Sequence, residues 1–427
     1  MRETTMPEFV NERTGERCVR IDHKSGLPIF VWPKAGYASS YAAFATKYGS
    51  IDNVFEVNGK QTTVPAGIAH YLEHKLFENE DCDAFEKYAK TGASANAYTS
   101  FDRTVYLFSC TGDITPSLEI LLDFVQSPYF TEASVQKEQG IIGQEIRMGE
   151  DSPFRRVLYN MLRGMYHRHP VNIEIAGTVE SIAEITPELL YDCYHAFYNL
   201  HNMVLSVAGN VTPEQVIAVA DRLLKPAPDH IVARSAVDEP ADIVTDRVEE
   251  AMPVAAPLFC LGYKLPMTGT QCVDQTTSAA AEVLAELLTG TASPLYAKLM
   301  ADGLINQSFE AEFFDGPGYA MWLFEGESRD PDAVAAAISE EIERLRREGV
   351  DEDDFVAARN ALYGEMVAGL NSAERCGEML VSDYFYDREP FGALAAASSL
   401  KKSDVERLLA AGLDKTRSTL SVIRPIK

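Results

Sequence analysis

The sequence predicts an α+β protein of two homologous domains, each a largely antiparallel β-sheet packed with α-helices, joined by a linker. A chain of 427 residues is longer than one ordinary hydrophobic core supports. Stretches in which apolar and polar residues alternate precede stretches with apolar residues at helical spacing. The same order of segments occurs twice, with a period of about 220 residues, which is half of the chain.

The repeat is visible in matching segments of the two halves. A strand-like segment, a helical segment and a second strand-like segment follow one another in each half: 41–48, 66–77 and 97–108, then 258–264, 278–288 and 318–324. Residues 131–146 and 351–366 also share a pattern, with a capping residue, an acidic first turn and apolar residues at helical spacing. The alternative is that two unrelated α+β segments share this order by chance.

A stretch rich in proline and charge separates the two halves. We therefore predict an N-terminal domain over residues 1–225, a linker over 226–251 and a C-terminal domain over 252–427. We expect the first domain to be the catalytic one, because it contains the motifs described below, and the second to be an inactive homologous copy.

Composition and charge exclude several classes of protein. The net charge of −26 argues against nucleic-acid binding, which depends on Lys and Arg, and it mainly favours solubility. No apolar run approaches the ~18 residues of a membrane span, and the N-terminus lacks the pattern of a secretory signal. Seven scattered cysteines without a Cys-x-x-Cys pair indicate no disulfide framework. We expect a protein of the reducing cytoplasm, without membrane partners.

The candidate reactive centre is the sequence His70-Tyr-Leu-Glu73-His74. Two histidines four residues apart project from one face of a helix, with the spacing that one tetrahedral metal ion needs. Glu73 lies on the same face and could take a proton from a metal-bound water. The surrounding residues are largely apolar, and a buried carboxylate is costly without a cation. We expect the helix to begin at Pro65, capped by the preceding threonines; the alternative is an ordinary amphipathic helix with these side chains in solvent.

A third ligand is expected from the predicted helix over residues 134–148. Glu138 and Glu145 are seven residues apart and fall on the apolar stripe that this helix would turn to the core, formed by Ile141, Ile142 and Met148. Two carboxylates on a core-facing stripe need a positive partner. We assign Glu145 as the ligand and Glu138 as a carboxylate that orients a ligating histidine, and we expect Glu150 to face solvent.

These residues resemble the motifs of the insulinase/pitrilysin family of zinc metallopeptidases, the inverzincins, over nearly the whole chain. The resemblance implies Zn²⁺ bound by His70, His74 and Glu145, with Glu73 as general base and Glu138 as a supporting catalytic residue. The segments 92–101, 140–146 and 176–182 are most similar to the bacterial YmfH-like branch.

The resemblance also implies a substrate-binding strand and a degenerate second half. Residues Asn96, Ala97 and Tyr98 match the family's edge strand that binds substrate backbone, although Asn96 could equally be a turn residue entering a strand. In the second half, the positions that match Glu138 and Glu145 are Ala358 and Glu365.

One departure concerns a family Arg-x6-Tyr pair that helps to stabilise the oxyanion. Met300 stands at the Arg position and no Tyr follows. Either Tyr319 or Tyr296 replaces the pair, or a partner supplies it, or turnover is slow, since one such donor can contribute about 3 kcal/mol.

The predicted function is therefore a zinc-dependent endopeptidase or oligopeptidase acting on peptides or unfolded segments. The alternative is a catalytically weak or inactive zinc-binding subunit that acts in a complex with a homologous chain. The expected partners are a peptide or unfolded polypeptide substrate and, for either function, a second copy or a homologous subunit in a homodimer or heterodimer.

Overall fold

The computed structural model describes residues 6–80, 82–226, 228–229 and 232–426. Residues 1–5, which include part of the segment used to judge a secretory signal, lie outside the described residues, as do three positions of the predicted linker. The β-strands in chain order are β1 (Glu8–Val10), β2 (Arg17–Asp22), β3 (Pro28–Pro33), β4 (Ser39–Thr46), β5 (Val54–Val57), β6 (Lys60–Thr63), β7 (Ser94–Thr99), β8 (Thr104–Thr111), β9 (Met203–Gly209), β10 (Val232–Arg234), β11 (Arg247–Met252), β12 (Leu258–Lys264), β13 (Glu310–Gly316), β14 (Tyr319–Glu327) and β15 (Ser418–Pro425).

Helices account for most of the remaining described residues. They are α1 (Ile68–Leu76), α2 (Ala84–Ala89), α3 (Thr115–Phe124), α4 (Glu132–Glu150), α5 (Pro153–Met165), α6 (Val179–Ile182), α7 (Pro187–Phe197), α8 (Pro213–Leu223), α9 (Gln275–Thr289), α10 (Pro294–Ala301), α11 (Pro331–Glu348), α12 (Glu352–Gly369), α13 (Ala373–Phe385), α14 (Gly392–Ser399) and α15 (Lys402–Ala411). No described helix has both the length and the apolar composition needed to cross a membrane.

The first large sheet has seven strands in the order β1-β2-β3-β9-β4-β8-β7. Every neighbouring pair is antiparallel except β3 and β9. Strand β4 is buried along nearly its whole length because helices cover both faces of the sheet. Strand β7 pairs only with β8, so it forms one edge of the sheet.

The second large sheet has five strands in the order β11-β15-β12-β14-β13, antiparallel except for the β11–β15 pair. Its core includes Trp322 and Phe324 of β14 together with apolar residues of α9 and α11. The predicted α+β class with largely antiparallel sheets is confirmed. The predicted strand over 97–108 is instead a hairpin of β7 and β8, because Ser100 N–H donates to the Arg103 carbonyl at 2.8 Å and closes a turn.

Each half of the sequence supplies one helix to the sheet of the other half. Helix α5 packs on β11, β12 and β15, whereas α13 packs on β4 and β9. One compact unit accordingly comprises the described parts of residues 1–146, 174–235 and 367–391, and the other comprises 147–173, 236–366 and 392–427. The units are discontinuous in sequence, and the division at 1–225, 226–251 and 252–427 stays a prediction about the sequence repeats.

Several carboxylates lie close together in the second unit. Burial, together with the charges of Glu312, Asp315 and Glu365, raises the pKa of Glu282 in α9 to about 7. A glutamate in the unfolded chain titrates near pH 4.5. A raised folded pKa means that this group destabilises the fold as the pH rises above the unfolded value, with the full cost reached above pH 7.

We expect Glu282→Gln to raise the free energy of unfolding by about 2 kcal/mol at pH 8, relative to its effect at pH 4.5. Urea denaturation at both pH values measures the difference. Glu340→Gln, which changes an exposed carboxylate of α11, serves as the surface control. An equal effect of Glu282→Gln at both pH values would contradict the assignment.

Candidate metal centre

Helix α1 carries the two histidines, and it starts later than the sequence indicated. Thr62 and Thr63 belong to strand β6, so they do not cap the helix, and Pro65 precedes it. The residue before the first turn is Gly67, at φ 92° and without a side-chain cap. The expected start at Pro65 is therefore wrong, because the β5–β6 hairpin holds the threonines in a strand.

A backbone-to-backbone contact fixes the start of α1. A Cβ atom on Gly67 would lie 2.4 Å from the Ala176 carbonyl oxygen, and one on Gly177 would lie 2.4 Å from the Ala66 carbonyl oxygen. The Ser181 hydroxyl donates to that same Ala66 carbonyl at 2.8 Å. The contacts of Ala176, Gly177 and Ser181 therefore position the helix that carries His70 and His74.

Helix α4 presents Glu138 and Glu145, but its buried side differs from the expected one. Ile142 is buried as predicted, whereas Ile141 and Met148 are 47 % and 67 % exposed. The other buried apolar side chains of this helix are Val135 and Ile146. At 100° per residue, this buried stripe lies to one side of Glu145 and the two exposed apolar residues lie to the other. Both carboxylates thus stand at the border of the core, and Glu150 is exposed as expected.

The two helices bring three potential ligands together. The Nε2 atom of His70 lies 3.4 Å from one carboxylate oxygen of Glu145, and the Nε2 atom of His74 lies 3.5 Å from the other. These separations exceed the hydrogen-bond range of about 2.7–3.2 Å. They match the spacing of about 3.3–3.4 Å between ligands that each lie about 2.0–2.1 Å from one tetrahedral ion. Potential ligand atoms of all three residues lie within 4.8 Å of one another.

Glu138 sets the orientation of the second histidine. Its carboxylate accepts a hydrogen bond from His74 Nδ1 at 3.0 Å, so the lone pair of Nε2 faces Glu145. Burial alone would lower the pKa of His74, but the hydrogen bond to Glu138 and the three nearby carboxylates together raise it. Burial opposes ionisation of Glu138, yet its hydrogen bond to His74 keeps the pKa of that carboxyl low.

Glu73 is held beside the three ligands. Its side chain is buried, with 8 % of the residue exposed, and one carboxylate oxygen accepts a 2.9 Å hydrogen bond from the Thr99 hydroxyl. Burial raises the pKa of Glu73, while His70, Thr99 and His74 act in the opposite direction. Sequence reasoning missed Thr99. The one feature of the sequence that could have indicated it is the alternation of side chains along a strand, which places Thr99 on the face of β7 opposite Tyr98.

The three residues assigned to substrate binding lie on β7, the edge strand. The backbone N–H of Ala97 donates to the side-chain oxygen of Asn96 at 2.9 Å. The Tyr98 hydroxyl instead donates to Glu378 at 2.6 Å. The side chain of Tyr98 therefore contacts α13. The part of this segment that a ligand could bind is the backbone at the unpaired edge of the strand.

Other candidates from the sequence have different environments. Tyr319 is buried between His169 and Phe314, which leaves it little surface for a substrate. Tyr296 is half-buried in α10 and its ring faces Phe309. Throughout the described part of the chain, no other group of three His, Cys, Asp or Glu side chains is spaced for a shared metal ion.

Comparisons with known proteins identify the family. Residues 60–179 match the model of the insulinase family (peptidase family M16), and residues 184–362 match that of the peptidase M16 inactive domain. The chain belongs to the insulinase family. It is 39 % identical to the uncharacterized zinc protease YmfH of Bacillus subtilis over 94 % of this chain and 95 % of that protein. The predicted family and branch are thereby confirmed.

Solved structures agree with this assignment. The crystal structure of an M16-like peptidase from Alicyclobacillus acidocaldarius has a TM-score of 0.92 at 32 % identity, and the alignment covers 100 % of this chain and 99 % of that one. Pitrilysin has a TM-score of 0.77 at 16 % identity, which shows a shared fold over 99 % of this chain and 47 % of pitrilysin.

The donor set fits zinc, the metal in the names of the relatives. Two imidazoles and one carboxylate with a remaining open position are the ligands of catalytic zinc sites. The Nδ1 atom of His70 is buried and has no hydrogen-bond partner among the described residues. The Nε2 atoms of both histidines lie toward Glu145, as a shared ion would require.

The contact at the start of α1 generates a prediction. We expect Gly67→Ala to destabilise the fold by about 1–3 kcal/mol more than Gly36→Ala and to reduce zinc content. Gly36 has a similar φ of 87° but open space around its Cα, so it serves as the matched control for backbone strain alone. Urea denaturation and elemental analysis measure both effects. Equal destabilisation by the two substitutions would contradict the role given to the Gly67 contact.

Proposed function

We propose that this protein is a zinc-dependent endopeptidase or oligopeptidase that hydrolyses peptides or unfolded segments. The observation that carries the proposal is the spacing of 3.4–3.5 Å between Glu145 and the two histidine Nε2 atoms, with Glu73 beside them. When bound, zinc would supply Lewis acidity and a water whose pKa is lowered towards neutrality.

The chain's own residues divide the remaining tasks. Glu73 accepts a proton from the attacking water and later returns it to the leaving amine. Thr99 holds one oxygen of the Glu73 carboxylate by a 2.9 Å hydrogen bond, so that the other oxygen is free to take the proton. Glu138 keeps His74 in the tautomer that binds metal.

The edge strand suits an extended substrate. Strand β7 pairs on one side only, and the backbone groups of residues 96–98 that face its other side can bind a peptide as an added strand once the Asn96 side chain releases the Ala97 N–H. Backbone pairing recognises extended chains with little demand on their sequence, which favours peptides and unfolded segments over folded proteins. No disulfide joins the described cysteines, which is consistent with the reducing cytoplasm as the proposed place of action.

A second candidate function is a weak or inactive zinc-binding subunit of a complex with a homologous chain. The specific observation in its favour is Met300, which stands where active relatives carry the Arg of the Arg-x6-Tyr pair. The presence of Glu73 and of its partner Thr99 favours the peptidase, because a subunit that only binds zinc has no use for an oriented base.

We expect zinc-loaded wild-type protein to cleave a library of unstructured peptides, as detected by mass spectrometry. Glu73→Gln should retain stoichiometric zinc and lose at least about 100-fold in turnover, since general-base catalysis contributes roughly 10²–10⁴-fold. Glu145→Gln should lose both zinc and cleavage. Glu150→Gln, an exposed position on the same helix as Glu145, serves as the control and should behave as wild type.

The result that would overturn the peptidase is zinc binding without cleavage by the wild-type chain. If cleavage then appears only when a homologous chain is added, the subunit function is favoured instead. Retained cleavage in Glu73→Gln would contradict its role as the base.

A further inference from the structure

Helix α13 approaches the first sheet very closely. A Cβ atom on Gly377 would lie 2.5 Å from the ring of Tyr41 in β4, so only glycine permits this packing distance. The helix comes from the second half of the sequence but belongs to the compact unit that contains the metal centre. Its position on the sheet is therefore set by specific contacts of the residues around Gly377.

The residue after that glycine accepts hydrogen bonds from two strands. The Glu378 carboxylate receives the Tyr98 hydroxyl at 2.6 Å through one oxygen and the Tyr41 hydroxyl through the other. Tyr41 lies on β4, in the interior of the sheet, whereas Tyr98 lies on the edge strand β7. A carboxylate with two oxygens can accept both hydroxyls at once, so the two strands share one acceptor on α13.

One helical turn further on, α13 holds the end of the same hairpin. The Ser382 hydroxyl accepts from Arg103 Nη1 at 2.5 Å. Arg103 also forms a buried bidentate pair with Asp102, and its guanidinium lies 4.9 Å from the ring centre of Tyr386. The turn between β7 and β8 is thus attached to α13 at a second point.

The opposite face of β7 carries the hydrogen bond to the reactive centre. Tyr98 and Thr99 are neighbours, and successive side chains of a strand point to opposite faces. Tyr98 faces α13, while Thr99 donates to Glu73. An edge strand has backbone partners on one side only, so its side-chain contacts have a larger share in fixing its position.

We propose that Glu378 is a positioning residue for catalysis: by holding Tyr98, it fixes the edge strand and, through Thr99, the carboxylate of Glu73. The second half of the sequence then contributes to the reactive centre without contacting the substrate. The inference rests on the proposed peptidase function for its kinetic consequence, but its structural consequence does not depend on that function.

The test compares Tyr98→Phe with Tyr41→Phe in the full-length zinc-loaded protein. Each substitution removes one hydroxyl from the same carboxylate, but only the first releases the edge strand. We expect kcat/KM per bound zinc to fall about tenfold in Tyr98→Phe, with changes in both kcat and KM, and less than twofold in Tyr41→Phe. Amide hydrogen exchange of residues 94–99 should speed up in the first variant alone.

Several results of this comparison would overturn the proposal. If Glu378 only stabilises the fold, Tyr98→Phe should lower the unfolding midpoint but leave KM, and kcat per bound zinc, unchanged. That result would overturn the proposal. Equal kinetic effects, or equal exchange in the two variants, would also overturn it. If the wild type cleaves no peptide, the proposed function fails, and the exchange difference between the two variants still decides whether Glu378 holds the strand.

Discussion

The structure depends on the need to compensate the charge of several carboxylates that lie beside two imidazoles at the border of one core. Glu73, Glu138 and Glu145 approach His70 and His74 there, and burial makes ionised groups costly unless opposite charge is close. The Nε2 atoms of the histidines stand too far from Glu145 for hydrogen bonds and at the distance that a shared tetrahedral ion requires. A divalent cation would satisfy that arrangement, in keeping with the proposed zinc site.

Contacts between residues that are far apart in the sequence hold these side chains in position. The tight approach of residues 66–67 to 176–177 fixes the start of α1, which determines where the two histidines lie. The edge strand supplies Thr99 to Glu73, and α13 supplies Glu378 to that strand. Segments that are far apart in the sequence therefore meet at one candidate centre. The exchange of α5 and α13 between the two sheets makes neither half of the sequence a complete unit.

Much of the fold and of the candidate site could be predicted from the spacing of residues close together in the sequence. The fold class followed from alternation and repetition, and His70, Glu73 and His74 followed from helical periodicity over a single turn. The choice of Glu145 rested on a stripe that was partly wrong, because Ile141 and Met148 are exposed; a seven-residue spacing places Glu138 and Glu145 together whichever side is buried. Thr99, Glu378 and the Gly67–Ala176 contact could not be predicted, because each depends on which distant segment packs alongside. For the same reason the sequence did not predict that α5 and α13 pack on the sheet of the other half, since a repeat does not reveal which sheet each helix covers.

Zinc X-ray absorption on the loaded full-length protein tests the central claim most directly. The account predicts one zinc per chain with four nitrogen or oxygen ligands at about 2.0–2.1 Å, two of them imidazoles. Like Glu145→Gln, His70→Ala should fail to hold stoichiometric zinc, because only two of the three proposed protein ligands remain. A spectrum with sulfur at about 2.3 Å, a six-coordinate ion, or stoichiometric zinc in His70→Ala would contradict a centre built from His70, His74 and Glu145.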